Sequence, residues 1–449
     1  MIIISEVKQL PLWGKIIYGT GSGGFSLIDR VLITWLFYYY ITSPLEGVEA
    51  LMPPFAFGVI MFIGRAIDAV ADPVIARWSD NHKSRMGRRM PFMLFSGVAY
   101  AAVFILLFYP PVAETSALNS VYLAVLLGIY FALFTAYVGP YLALLPELAR
   151  STKDRVDLAT FRAVFMLLGV GIALIGSGML IGTLGFHGMV WAMAGLGLVL
   201  LYLPLLIKEK DYADAKPATL SLIKAVTTTF KNKAFTVYLA GNVTFWLGFN
   251  IITLNLPLYV TILLGGTEDE TSIYFGLAFV VALLFFPVVN IFSKKLGLKA
   301  VMMFALVAFM VLLPLFFFLG QPMIGLSPEV FGYIIMGLAG LPLAVIFIVP
   351  EAIVAEVSDL EENLSGQRRE AMYFGAQGFI LKLALGLSTI ITGTLLQLFG
   401  STAAQPLGIQ LTGPVSALFI LVGVVVFTRY PEKEVRAFER NRGTSSLSQ

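Results

Sequence analysis

Twelve stretches of this 449-residue chain are each long enough to cross a lipid bilayer and almost wholly apolar. They fall roughly at 17–42, 53–78, 91–110, 119–146, 158–183, 187–207, 234–263, 272–293, 299–320, 329–357, 370–398 and 411–428. A spanning helix needs about 20 such residues, so the longer stretches are expected to tilt or to run past the interface. The alternation of a membrane barrel strand is absent, and helices satisfy every backbone group inside lipid. The expected fold class is therefore an all-α membrane protein of twelve transmembrane helices.

Composition agrees. The chain is 58% hydrophobic and only 13% charged, where a soluble domain carries about a quarter charged residues. A net charge of +3, with no basic patch interleaved with aromatics, argues against a nucleic-acid partner. The absence of cysteine excludes disulfides, thiolate metal sites and cysteine nucleophiles. His82 and His187 are isolated and make no metal site. The glycine-rich GTGSGG at 19–24 has no strand before it and no Lys-Ser/Thr after it, so it is not a phosphate loop. No cofactor is expected, and no nucleophile–base constellation of an intramembrane enzyme is legible. The repeated pore-lining rings of a channel are missing too. The N-terminus lacks a basic start, an apolar run and a small-residue cleavage site, so no cleaved signal peptide is expected.

Lysine and arginine set the topology. The loops 43–52, 111–118, 184–186, 264–271, 321–328 and 399–410 contain none of the 30 cationic residues. Both termini are thus expected to be cytoplasmic, in a cell inner or plasma membrane, with the bilayer as partner. The polar break 208–233 separates an N-terminal six-helix bundle (1–207) from a C-terminal one (234–449) that ends in a cytoplasmic tail. The halves echo each other: PYLALLPELARSTKDRVDLATFR (140–162) resembles PEAIVAEVSDLEENLSGQRREAMYF (350–374), and FSKKLGLKA (292–300) stands where the Asp80–Arg89 loop stands in the first half. Two six-helix repeats are a transporter plan. A monomer is expected.

Charges inside apolar helices are costly and mark function by default. Asp68 and Asp72 are spaced i,i+4 and share one helix face, about 6 Å apart along the axis. Arg65, one turn before, is placed to pair with Asp68. Two carboxylates on one face suit a small hard cation, or a proton. The plainer alternative is a structural Arg65–Asp68 pair with Asp72 reaching the interface. Asp29 and Arg30 are neighbours about 100° apart round the axis and cannot both face one point; the carboxylate is favoured for the substrate. Arg162 and Lys382, one in each half, are placed to hold an anionic group, to donate to hydroxyls or to neutralise the aspartates. In the seventh segment Asn242, Trp246, Asn250 and Thr253 fall on one stripe. A ring plate with amides suits a sugar, although such a stripe also serves as interhelical glue. Asp80, Arg85, Arg88 and Arg89 crowd the first cytoplasmic loop and are expected to gate, through ion pairs reaching across to the other bundle.

The run DAVADPVIARWSDNHKSRMGRRMPF (68–92) resembles the signature of the glycoside–pentoside–hexuronide:cation symporters, the melibiose permease family of the major facilitator superfamily. FYYYITS (37–43), FNIIT (249–253), AQGFILK (376–382), VAEVSD (354–359) and GQRREAMYFG (366–375) extend the likeness along nearly the whole chain. The resemblance implies the major facilitator fold and cation-coupled symport of a small molecule by alternating access. It implies cation ligands at Asp68, Asp72 and Thr135, a sugar-pocket arginine at Arg162, and functional positions at Phe347, Gln377 and Lys382. Sodium at Asp68 and Asp72 is the only metal it allows. Val138 and Leu142 stand where sodium-coupled relatives carry an aspartate and a tryptophan, and Ser26 where they carry a sugar-binding aspartate. With Val138 in place of that acid the expected coupling ion shifts from sodium toward a proton, and with Ser26 in place of the sugar-binding aspartate galactoside specificity is not expected to carry over. The expected substrate is a sugar or glycoside, with a lysophospholipid or other amphiphilic or anionic molecule as the alternative.

Overall fold

The computed structural model describes residues 10–42, 50–212, 229–322, 325–365 and 370–432. Among them stand twelve helices of fifteen residues or more: α1 Leu12–Thr42, α2 Pro54–Asn81, α3 Met90–Leu106, α4 Ala117–Leu148, α5 Thr152–Gly171, α6 Ser177–Tyr202, α7 Lys233–Leu258, α8 Glu268–Leu296, α9 Leu298–Leu312, α10 Pro328–Ser365, α11 Glu370–Phe399 and α12 Leu407–Phe427. The described residues contain no strand, only an isolated bridge between Thr402 and Gln405. Among the described residues nine helical spans are long and apolar enough to cross a bilayer, and Met90–Leu106 is a shorter apolar helix. Most of the 208–233 break, residues 213–228, lies outside the described residues, as do 366–369 of the GQRREAMYFG motif and the tail from 433.

Local chemistry sets the helix ends. α2 opens on Pro54 after an extended Pro53, where a missing N–H costs nothing. Ser116, Ser151 and Asn232 cap α4, α5 and α7 by accepting from Leu118 N, Asp154 N and Phe235 N. From α5 the chain continues through a π-turn, Ile172–Gly176, into α6. The path breaks at Gly185, whose φ of 71° is non-helical and favours a residue without Cβ. This break thus falls inside the loop 184–186 read from the sequence.

Two compact units result: Met1–Thr219 with Gly266–Ile273, and Leu220–Gly265 with Tyr274–Gln449. In the first, α1 packs closely on α5 and α6. A Cβ added at Gly24 would lie 2.8 Å from the Gly197 carbonyl oxygen, and one at Gly169 would clash with the Gly23 carbonyl oxygen. The GTGSGG stretch is therefore a small-residue helix contact. Large apolar side chains such as Phe95, Leu284 and Leu398 are exposed, as lipid-facing helix surfaces require. Trp13, Trp78 and Trp191 are also exposed, in keeping with interfacial anchoring.

Candidate functional site

The strongest cluster lies in the first unit, where α1, α2 and α4 meet. Asp68 is completely buried. Thr135 of α4 donates its hydroxyl to Asp68 Oδ1 at 2.6 Å and stands 3.5 Å from Asp72 Oδ1. The other face of Asp68 meets Arg65, whose Nη1 is 3.6 Å from Oδ2. Arg65 Nη2 in turn lies 3.5 Å from Asp29 Oδ1 on α1, and its guanidinium sits 4.5 Å from the centre of the Phe131 ring. The i,i+4 spacing of Asp68 and Asp72 thus becomes a two-carboxylate face bridged by a hydroxyl, with one guanidinium joining it to a third carboxylate. Three carboxylates against one guanidinium leave a formal charge of −2. Hard oxygen donors in this balance suit a proton or a small monovalent cation.

The structure brings Asp29, Asp68, Asp72 and Thr135 together; the remaining candidates lie elsewhere. Arg162 of α5 is half-buried, within electrostatic reach of the buried Tyr18 and Tyr141. Its backbone carbonyl accepts from Ser22 at 2.6 Å. In the second unit, Trp246 of α7 stands edge-on to Phe347 of α10, ring centres 6.3 Å apart. Asn250 donates to Ser388 of α11 at 2.6 Å, and Gln377 of α11 accepts from Tyr238 of α7 at 2.9 Å. Lys382 is half-buried on α11. The α7 stripe divides: Asn250 ties α7 to α11, Trp246 meets α10, and Thr253 bonds back to the Phe249 carbonyl of its own helix.

Of the loop residues Asp80, Arg85, Arg88 and Arg89, all but Arg85 form ion pairs inside the first unit. Arg89 Nη2 lies 2.5 Å from Asp80 and 3.0 Å from Glu147, and Arg89 Nη1 donates to Ser79 at 2.7 Å. Arg88 reaches Glu147 at 3.1 Å. The acid closing α4 is near enough to satisfy both arginines. Arg85 is exposed and has no ion pair among the described residues. Sequence reasoning missed Glu147, Phe131 and Glu209. The Glu209 carboxylate accepts from the backbone N–H groups of Arg88, Arg89 and Met90 at 2.7, 2.9 and 3.1 Å, so it caps α3 from the far end of the unit. Only Glu147 had a signal, as an acid ending an apolar helix just before a basic loop.

The model of the family described as MFS/sugar transport protein matches residues 17–432. The chain belongs to that family. As a member of the MFS/sugar transport family it has the major facilitator fold and is a multi-pass membrane transporter. The putative glycoside/cation symporter YagG of Escherichia coli is 24% identical, over 94% of this chain and 90% of its own length. The sodium-dependent lysophosphatidylcholine symporter 1 of Xenopus tropicalis is 22% identical, over 96% and 89%. The nucleoside transporter NupG has the same fold, with a TM-score of 0.69 at 15% identity, covering 93% of this chain and 98% of that one.

Proposed function

We propose that this protein is a cation-coupled symporter of a sugar or glycoside, working by alternating access as a monomer in the inner or plasma membrane, with both termini cytoplasmic. The observation that carries the reading is the fully buried Asp68, hydrogen-bonded to Thr135 and one turn from Asp72. Arg65 offsets only one of the cluster's three carboxylates, so the buried excess of negative charge calls for a cationic ligand. Asp68, Asp72 and Thr135 hold the coupling ion. A proton is favoured over sodium, because Val138 gives α4 no third carboxylate. Asp29, Arg162, Trp246, Asn250, Phe347, Gln377 and Lys382 serve the substrate. Asp80, Arg85, Arg88 and Arg89 serve gating. The amides of α7 and α11 suit hydroxyl-bearing solutes, in line with the family description and the glycoside relative.

A second reading, lysophospholipid transport, is supported by the exposed Leu142 and the half-buried Val138 on α4, and by the lysophosphatidylcholine relative. Uptake into proteoliposomes separates the two. Neutral glycosides and lysophosphatidylcholine are supplied in turn, each with and without sodium and with and without an acid-outside pH gradient. A glycoside that accumulates with the pH gradient is the expected result. Accumulation of the lysolipid with no glycoside uptake would sink the sugar reading, and a steep sodium dependence without pH response would sink the proton.

A further inference from the structure

Arg30 is the intramembrane charge that the cation cluster leaves over. It sits in α1, half-buried, beside Asp29 in sequence. Its Nε is buried and has no hydrogen-bond partner, and no carboxylate lies within ion-pair distance of it among the described residues. The adjacent Asp29 carboxylate is turned to Arg65 instead, as the 100° step between neighbouring helix positions demands. Arg65, by contrast, is matched twice, by Asp29 and Asp68. A guanidinium carried into an apolar helix, sharing its neighbouring carboxylate with Arg65 and forming no ion pair of its own among the described residues, is costly unless an anion visits it. Arg162 is also without an ion pair among the described residues, but it is level with Ser22 on α1. That is eight positions from Arg30, about 12 Å along the axis, too far to share one small anion.

We propose that Arg30 is an anion-binding residue of the transport site, and that the substrate carries an oxyanion group such as a carboxylate, sulfonate or phosphate. The inference rests on the symporter reading and narrows its substrate class. A guanidinium fork matches such a group in two parallel hydrogen bonds. The placement also supplies coupling. The residues run Asp68, Arg65, Asp29, then Arg30. A cation loaded at Asp68 cancels that carboxylate and leaves Arg65 to Asp29 alone. Asp29 then offers less compensation to Arg30, whose field draws the substrate anion. By linkage the anion tightens cation binding by the same factor.

The test uses the purified full-length protein and pairs of probes with matched skeletons: methyl glucoside with methyl glucuronide, glycerol with glycerol 3-phosphate, and a monoacylglycerol with its lysophosphatidic acid. Thermal stabilisation is read as the ratio within each pair at fixed ionic strength, so differences in yield or fold cancel. In at least one pair the anionic member is expected to bind about tenfold or more tightly than its neutral partner. Arg30→Gln removes that preference, Arg30→Lys keeps part of it, and Asp68→Asn, mimicking a loaded site, retains it. No anionic preference in any pair overturns the proposal, as does a preference that survives Arg30→Gln. A fall in the unliganded Tm of Arg30→Gln by several degrees, meaning a structural partner, also overturns it. The two readings fail separately. A neutral glycoside bound alike by wild type and Arg30→Gln leaves the sugar reading standing without this one. An anionic lipid bound through Arg30, with no sugar bound, does the reverse.

Discussion

The two compact units answer the problem of polar groups in a membrane differently. Around Asp68 the first unit uses full charges set against one another: Asp29, Arg65, Asp68 and Asp72, with Thr135 between the last two. Along the α7–α11 seam the second unit joins neutral groups, Asn250 to Ser388 and Tyr238 to Gln377. A charged cluster changes its internal balance when one cation arrives, whereas neutral amides and hydroxyls recognise shape and hydrogen-bond pattern with little response to charge. Under the proposed function this contrast is a division of labour, with energy coupling assigned to the first unit and part of the selectivity to the second.

The largest effect expected from this contrast is in Asp68→Asn, which should abolish accumulation against a gradient while the protein remains folded in the membrane; normal concentrative uptake by the variant breaks the comparison. Next comes Arg89→Ala. It leaves Asp80 without its guanidinium and Glu147 with Arg88 alone, and breaking a buried pair costs about 3–5 kcal/mol. A marked drop in Tm in detergent is expected, and an unchanged melting curve counts against a structural role for the loop pairs. Smaller, and confined to the second unit, are Gln377→Ala and Asn250→Ala. Each should weaken substrate binding about tenfold, because an unpaired buried polar group costs about 1–3 kcal/mol and 1.4 kcal/mol is tenfold. Substrate titrations with the cation requirement retained would sharpen the comparison, and loss of that requirement would blur it. Smallest is Arg85→Ala. Exposed and unpaired among the described residues, Arg85 should change stability by no more than about 0.5 kcal/mol, a difference that a thermal melt beside Arg89→Ala reads directly.

Much of the fold was legible because lipid imposes a rule that sequence reports directly: apolar runs of fixed length, with cations on one side. Asp68 and Asp72 were legible for the same reason, since carboxylates one turn apart in an apolar helix stand out. Partners drawn from remote segments were hidden. Phe131 under Arg65 is one aromatic among 36 phenylalanines, and nothing local marks it. The loop arginines were recognisable as a cluster, but their choice of Glu147 depends on where α4 ends relative to α2 and α3. The GTGSGG stretch could be refused as a phosphate loop from its context. Its packing role needed the carbonyls of α5 and α6 to be in view.

Glu209 also bears on how the first unit is assembled. The donors it satisfies lie at Arg88, Arg89 and Met90, so the start of α3 is tied off by a residue that follows it by 119 positions. During synthesis α3 enters the membrane long before that carboxylate exists, and its three N–H groups must be served by water or lipid head groups until α6 is complete and the chain returns. Closure of this ring is therefore a late event in biogenesis. A nascent chain released before residue 209 would carry all the apolar segments of the first unit and still lack the clasp at the start of α3.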